Sequence, residues 1–441
     1  MNSIKFSARS LPILADADIV VAGAGAAGVA AAIQAARMGK KVIMLDKNNC
    51  AGGILTAGLL PSIIHMTDLK NNLAAGLCKE LVDAVALRMQ KPANYNWFNV
   101  NNEAVKLVLD EMLAAAGVQV IYNVCLCDVT LKRRKITALA VMTQQGMMAI
   151  TGRIFVDATG DGVLSVLAGA PFEYGSEDTH EVMAPTLCSQ FANIDYNAIP
   201  EEMRNHGLGR VEWKKARESG EKLFTEEGHF VGHFRNGSST GNGNLGHIYN
   251  TDVLDQFSVT NACIEGRKQA WGYCDFFRTH VKGFENAEVI ATATLLGVRE
   301  SRRIIGEYVL TRSDYLARRH FADDIGCFAY AIDIHSGVKD VKKQAAVEIN
   351  LSRSYYEPGE NYGIPYRTLL PKNTGNLLTA GRCISSDRAM QASVRVVPGC
   401  MITGQAAGAA AALAVQKKQT LRQISVKELQ KVLRSSNCFV Q

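Results

Sequence analysis

Apolar residues along the first sixty positions fall into runs that match buried strands and one tightly packed helix. Asp18-Ile19-Val20-Val21-Ala22 is a short apolar run, the pattern of a strand covered on both faces. The turn Gly23-Ala24-Gly25-Ala26-Ala27-Gly28 follows, and the small residues Val29 to Met38 predict a helix that Gly39 stops. Lys41-Val42-Ile43-Met44-Leu45 predicts a second buried strand, closed by Asp46. Further strands are predicted where Arg153 leads to Gly160 and where Asn376 leads to Arg382. An alanine-rich helix is predicted to open at Gly404-Gln405-Ala406-Ala407-Gly408.

Strand, glycine turn, helix, strand and terminal acid in this order describe a dinucleotide-binding unit. Gly23 permits the tight turn, Gly25 lets backbone approach a pyrophosphate, and Gly28 lets helix and strand pack closely. The helix N-terminus, with Ala26 and Ala27, offers free N–H groups and a positive dipole end to phosphates. Asp46, with Lys47 beside it, stands where a carboxylate can accept from ribose hydroxyls.

Two returning segments favour FAD over NAD. A simple NAD domain completes its cofactor contacts in one continuous stretch. Here the chain leaves, runs on for about two hundred residues, and returns with glycine-ended elements at Gly381-Arg382 and Gly404-Gln405-Ala406. Such a split suits a longer ligand whose flavin end is held by the returning part. The N-terminus of the alanine-rich helix is expected to stabilise the negative charge that reduction places on the flavin ring.

The chain resembles the FAD-dependent oxidoreductase family grouped with the heterodisulfide-reductase A-like flavoproteins. It is more distantly similar to the flavoprotein subunits of succinate dehydrogenase and fumarate reductase. The resemblance rests on Gly23 to Gly28, Gly52-Gly53, Asp157-Ala158-Thr159-Gly160-Asp161-Gly162, Gly297 to Arg303, Ile364-Pro365-Tyr366-Arg367, Gly381-Arg382 and Gly404 to Gly408. It implies an α/β protein: a Rossmann-type FAD-binding domain of the glutathione-reductase type in two segments, with an inserted mixed α+β substrate domain. The segments are expected at 1–170 and 356–441, with the insertion at 171–355. Ala158, Thr159, Gly160 and Asp161 join the expected FAD contacts.

Departures from the relatives narrow the chemistry. No histidine precedes Gly52-Gly53, so noncovalent FAD is expected. Aliphatic residues, Ile54-Leu55-Thr56-Ala57, stand where disulfide reductases carry a redox cysteine pair, and there is no second glycine fingerprint for NADPH. Eleven scattered cysteines form no ligand quartet, so neither a metal nor an iron–sulfur cluster is expected. Cys125 and Cys127 alternate on a predicted strand and read as packing thiols.

The middle of the chain holds most of the nine histidines and supplies the catalytic candidates. Ala287 to Leu310 is expected to be a long helix carrying Arg299 and Arg303 on one face. Ala331-Ile332-Asp333-Ile334-His335 alternates like a strand, which sets Asp333 and His335 on one face as a pair fit for proton transfer. His65 follows the Gly-Gly loop. Arg388 and Arg395 lie between Gly381 and Gly404, and in fumarate-reductase-like flavoproteins the comparable stretch grips a substrate carboxylate. Asn236 to Gly246 reads as a turn-rich surface loop.

Composition adds little bias. A net charge of +6 from 48 Lys+Arg and 42 Asp+Glu is mild for 441 residues, and no basic run with aromatics suggests nucleic acid. Leu11 to Ala15 is too short for a signal-peptide core, and no stretch reaches the ~18 uninterrupted apolar residues of a membrane span. A cytoplasmic protein without membrane insertion is expected, with oligomeric state left open. It would transfer hydride between FAD and a small polar substrate, with anions and sugar acids among the candidates, and exchange electrons with a donor or acceptor. An NAD-dependent dehydrogenase and a noncatalytic flavin-binding sensor or assembly protein are the competing readings.

Overall fold

A computed structural model describes residues 10–200, 208–225, 230–339 and 356–441. The expected boundary at 355/356 therefore lies outside the described residues on its 355 side. A seven-stranded sheet forms the centre. Gln119–Ile121, Val42–Leu45, Ile13–Ala22 and Gly146–Asp157 run parallel, with Ile19 beside Val42 and Ile154. The first strand begins at Ile13, so the apolar run before Asp18 is part of this sheet.

The strand Gly146–Asp157 has two halves with different partners. Its first half pairs antiparallel with Lys135–Thr143, which continues into Cys125–Lys132. Its last residues pair parallel with Leu377–Thr379, matching Leu378 to Val156 and Thr379 to Asp157. The C-terminal segment thus completes the first half's sheet, as the glycine-ended elements imply.

Two helices cover one face of the sheet: the turn helix Ala26–Arg37 and the core helix Val397–Lys417. They approach closely because glycines face backbone. A Cβ placed on Gly404 would stand 2.1 Å from the Ala27 carbonyl oxygen, and one on Gly408 2.2 Å from that of Ala31. The core helix is long and apolar enough to cross a membrane, yet 94 % of its most apolar window is buried inside the protein. Its apolarity is that of a helix enclosed on every side.

A second layer holds the antiparallel sheet Phe230–Arg235, Gly241–Leu245, Ser189–Ala192 and Glu288–Thr292, in that order. The helix Gln256–His280 packs there through Tyr273 and Phe277, which join Phe191, Trp213, Phe230 and Phe284 in a separate aromatic core. Tyr315, Ile325, Phe328 and Ile332 belong instead to the main core, so the chain is back against the FAD-side core well before 355.

Three sequence expectations fail here. Ala287 to Leu310 is not a helix: it forms the strands Glu288–Thr292 and Arg302–Ile304 joined by an extended stretch. β-Branched residues favour extension, and Gly297 is needed where a Cβ would meet the Thr186 carbonyl oxygen at 2.6 Å. Asn236 to Gly246 is not a surface loop but the turn and second strand of a hairpin, with Asn242 fully buried. Ala331 to His335 has no regular secondary structure and pairs with no strand among the described residues.

Candidate functional site

Four chain segments meet at the N-terminus of the turn helix. Gly23 adopts φ +96°, and a Cβ there would collide with the Ala158 carbonyl at 2.4 Å. Gly25 is the N-cap; no side chain caps the helix and its first turn holds no acid. An ideal Cβ on Gly25 would meet no atom within 4 Å, so its outer side is open. Gly25 bridges Gly52, which donates its N–H to the Ala24 carbonyl at 2.8 Å. Gly53 follows, close enough that a Cβ would lie 3.0 Å from the Gly25 Cα. A bare helix N-terminus with open space above it and no acid in its first turn fits a pyrophosphate.

Asp46 ends the second strand against this turn. Its Oδ2 accepts from the Ala24 N–H at 2.6 Å, and its Oδ1 accepts from the Asn48 backbone and side-chain amides, both at 2.8 Å. The carboxylate is thus oriented at the strand end, and Lys47 beside it is exposed. Asp157 is fully buried and accepts from Thr159 and Ser165, fixing the turn that contains Ala158 and Gly160. Burial raises its carboxyl pKa, and the four donors act in the opposite direction.

Gly381 reaches the same place from the returning strand: its N–H donates to Thr403 Oγ1 at 3.0 Å, and a Cβ would touch Ala27 Cβ at 2.9 Å. Arg382 donates to the carbonyls of Gly160 and Val298 and to Asp161 Oδ1, which also accepts from Ser301 Oγ at 2.7 Å. Arg382 and Asp161 therefore spend much of their polar capacity tying the two halves together.

The core helix departs from the sequence reading. It starts at Val397, with Val396 as N-cap and a proline in its first turn, so Gly404 lies two turns inside. Gly404 and Ala406 are fully enclosed by helix packing. Gln405 accepts from the Leu77 N–H and donates to Gln34 Oε1. The N-terminus of this helix is instead beside Arg395, about 10 Å along the axis from Gly404 at 1.5 Å per residue.

A polar cluster surrounds that end. Arg395 Nη2 donates to the Asp333 carbonyl at 3.0 Å and to Asp333 Oδ2 at 3.2 Å, while its Nε is buried with no acceptor. His335 Nε2 lies 3.2 Å from Asp333, and its Nδ1 lies 2.9 Å from His247 Nε2. His247 Nδ1 in turn meets the Tyr249 hydroxyl at 3.2 Å. Tyr330 donates to Asp333 Oδ2 at 3.2 Å, and its ring lies 5.3 Å from that of His65. His65, at φ +55°, contacts Asn96 through Nδ1.

Charge in this cluster is unequal. Burial alone would raise the Asp333 carboxyl, yet His335, Arg395 and Arg299 together hold it well below the usual carboxylate range. Burial, with Arg395 as a like charge, pushes the Arg299 guanidinium down to about 10. Burial pushes His335 down to about 3 although Asp333 opposes it, and burial lowers His65 against its bond to Asn96. At neutral pH, among the described residues, two guanidiniums therefore face one carboxylate, with His335 and His65 neutral.

Arg299 belongs to this group through charge alone, and Arg303 and Arg388 lie apart from it. Arg299 donates to the Ala184 carbonyl and to Thr186 Oγ1. Arg303 donates instead to Glu300 at 2.8 Å and to the Gly175 carbonyl, so the two do not share a helix face. Arg388 Nε bonds both oxygens of the fully buried Glu300, each at 3.1 Å, which matches its charge within the protein. His247 and Tyr330 went unnoticed in the sequence because no periodicity links them to Asp333; only the fold brings them there.

The profile of the family described as FAD dependent oxidoreductase matches residues 18–433. A dihydrolipoyl dehydrogenase from Manduca sexta is 41 % identical over 71 residues, covering 15 % of this chain and 14 % of that protein. The chain thus spans about 14 % of that curated relative's length. A geranylgeranyl bacteriochlorophyll reductase-like protein from Thermoplasma acidophilum superposes over 96 % of this chain and 84 % of its own, at 12 % identity and TM-score 0.49. A flavin-dependent brominase covers 95 % and 83 %, at 13 % identity and TM-score 0.49.

Proposed function

Because the chain belongs to the FAD-dependent oxidoreductase family, we propose that it transfers a hydride between noncovalently bound FAD and a small anionic substrate held at Arg395. Family membership makes the protein a flavin-dependent enzyme and sets aside the NAD-dependent and noncatalytic readings. The observation that carries the substrate reading is the excess of buried positive charge among the described residues: Arg395 and Arg299 against Asp333, with Arg395 Nε lacking an acceptor. A buried cation without a counter-charge is costly, and a ligand carboxylate or phosphate would offset it.

Gly25 and the first turn of the helix would hold the pyrophosphate, with Gly23 and Gly28 letting the turn pack against Ala158; Asp46 would hold the ribose, and the segments at Gly52-Gly53, Ala158 to Gly160 and Gly381 the rest of the dinucleotide. When bound, FAD supplies the two-electron acceptor or donor. Asp333 fixes Arg395 from one side, so the guanidinium is oriented before substrate arrives. Burial holds His335 neutral at physiological pH, and it orients the Asp333 carboxylate through Nε2 while its Nδ1 meets His247.

The test is anaerobic mixing of the yellow holoenzyme with a panel of small hydroxy- and amino-carboxylates, their uncharged amides, and a reduced artificial donor. Bleaching by carboxylates but not by the amides is expected. Bleaching by the amides at equal rates would remove the anionic substrate, and no reduction by any donor would remove the redox reading.

A further inference from the structure

Away from the FAD cradle, three donors of different chemistry converge at the start of the strand Asp324–Phe328. His320 Nδ1 lies 3.2 Å from Asp324 Oδ2 and 4.0 Å from Cys327 Sγ. One ligand atom from each lies within 4.8 Å of the other two. We propose that His320, Asp324 and Cys327 form a zinc site, with water at the remaining position.

The distances suit that ion. Tetrahedral zinc, with bonds of about 2.0 Å to nitrogen or oxygen and about 2.3 Å to sulfur, separates an N–O ligand pair by about 3.3 Å and an N–S pair by about 3.6 Å. The His320–Asp324 edge already matches, and the His320–Cys327 edge needs to close by a few tenths of an ångström. Imidazole, carboxylate and thiolate together favour a borderline cation over calcium or magnesium, which take oxygen ligands.

The surroundings supply an independent reason. Asp324 is 3 % exposed in its side chain, and its Oδ1 is buried with no hydrogen-bond donor. The carboxylate lies over Gly363, where a Cβ would come within 2.0 Å of Oδ2, so it is held in place by the opposite strand. Phe321 N–H and His320 serve Oδ2 alone. His320, 35 % exposed in its side chain, leaves the site open to solvent for metal entry.

The place matters for the enzyme. The chain that follows the strand carrying Asp324 and Cys327 leads directly to Tyr330, Asp333 and His335. A zinc clamp at its start would brace the segment that carries the anion-site carboxylate, and this role does not depend on the substrate proposed above.

The experiment uses FAD-loaded full-length protein, first dialysed against a chelator and then given zinc chloride, read by bound zinc per chain and by thermal midpoint. About one zinc per chain and a raised midpoint are expected. His320→Ala and Cys327→Ser should each weaken zinc binding by roughly tenfold or more while FAD content stays unchanged. Should Cys327→Ser fold poorly because the thiol is buried, His320→Ala decides alone. The proposal is overturned if the wild type takes up no zinc, if His320→Ala binds it as tightly, or if Cys125→Ser/Cys127→Ser abolishes uptake instead.

Discussion

Gly404 of the core helix lies directly over Ala27 of the turn helix, at a distance that leaves no room for a methyl group. Alanine is the better helix former by about 0.8–1.0 kcal/mol, so propensity alone would make Gly404→Ala stabilising. The contact reverses that sign, and a net loss on the order of 1–3 kcal/mol is expected from overpacking. Because Ala27 is in the first turn above the glycine loop, FAD occupancy should fall together with the thermal midpoint. A variant as stable and as fully flavinated as wild type would contradict the packing.

Asp46 offers a sharper test of the cradle. Asp46→Ala leaves the Ala24 and Asn48 amides without their acceptor and removes the group that would receive the ribose. FAD affinity should weaken by about 1–3 kcal/mol, measured by flavin fluorescence on dilution. Acid precipitation of the wild type should meanwhile release all flavin into the supernatant, since no histidine precedes Gly52-Gly53; fluorescence persisting on a denatured gel band would show a covalent bond.

Arg395→Lys keeps the charge and loses the planar fork that meets Asp333 and offers Nε inward. Turnover should drop by a factor of ten or more, roughly the 1.4 kcal/mol of one lost charged hydrogen bond or greater, while FAD stays bound. A large fall in stability with turnover per folded enzyme intact would make Arg395 a brace for Asp333 only. Asp387, the nearest acid in sequence before Arg395, is already occupied as the cap of the helix Arg388–Val394 and by the Arg312 N–H.

Acid stability should report His233, a buried imidazole among Phe191, Phe277 and Phe284. Burial pushes it down to about 3 from an ordinary 6.5. Between those values the unfolded chain binds a proton that the folded chain refuses, so stability is lost as pH falls from 6.5 towards 3, by up to about 1.4 kcal/mol per pH unit. His233→Phe removes this dependence, and the Tyr196 hydroxyl keeps its bond to the Thr240 carbonyl. Urea midpoints from pH 4 to 7 should show a shallower slope in the variant. An unchanged slope would mean that His233 is protonated in the native state.

The FAD cradle was legible because its signals are local. The strand into Gly23, the turn helix and the strand into Asp46 each declare themselves within ten or so residues, and the returning strand at Leu377–Thr379 ends in the same kind of glycine. Asp333 and His335 do meet, being two apart in sequence, although the strand that was expected to align them does not form. Gly404 misled because close helix packing and close cofactor approach ask for the same residue; Pro398, in the first turn, was the better sign of where that helix begins. The run through Arg299 and Arg303 looked helical only in its spacing, while Gly297 and the β-branched residues before it pointed to extension. No local pattern could connect Asn242 to Asn102 and the Leu59 carbonyl, the buried bonds that fasten the second sheet to the Gly-Gly segment.

The split strand Gly146–Asp157 also sets a timetable. Asn376, which leads into its parallel neighbour, bonds the Arg153 carbonyl across 223 positions of chain. At about 5–20 residues per second of synthesis, a nascent chain waits on the order of 10–45 s between making Arg153 and making that neighbour. Throughout the interval Phe155 to Asp157 has one hydrogen-bonding edge without its native partner, and a bare strand edge recruits whatever strand is near. Yield of folded enzyme in the cell should therefore depend on what shields that edge on the ribosome, and slowing translation after Asp157 should promote aggregation even when the finished protein is stable.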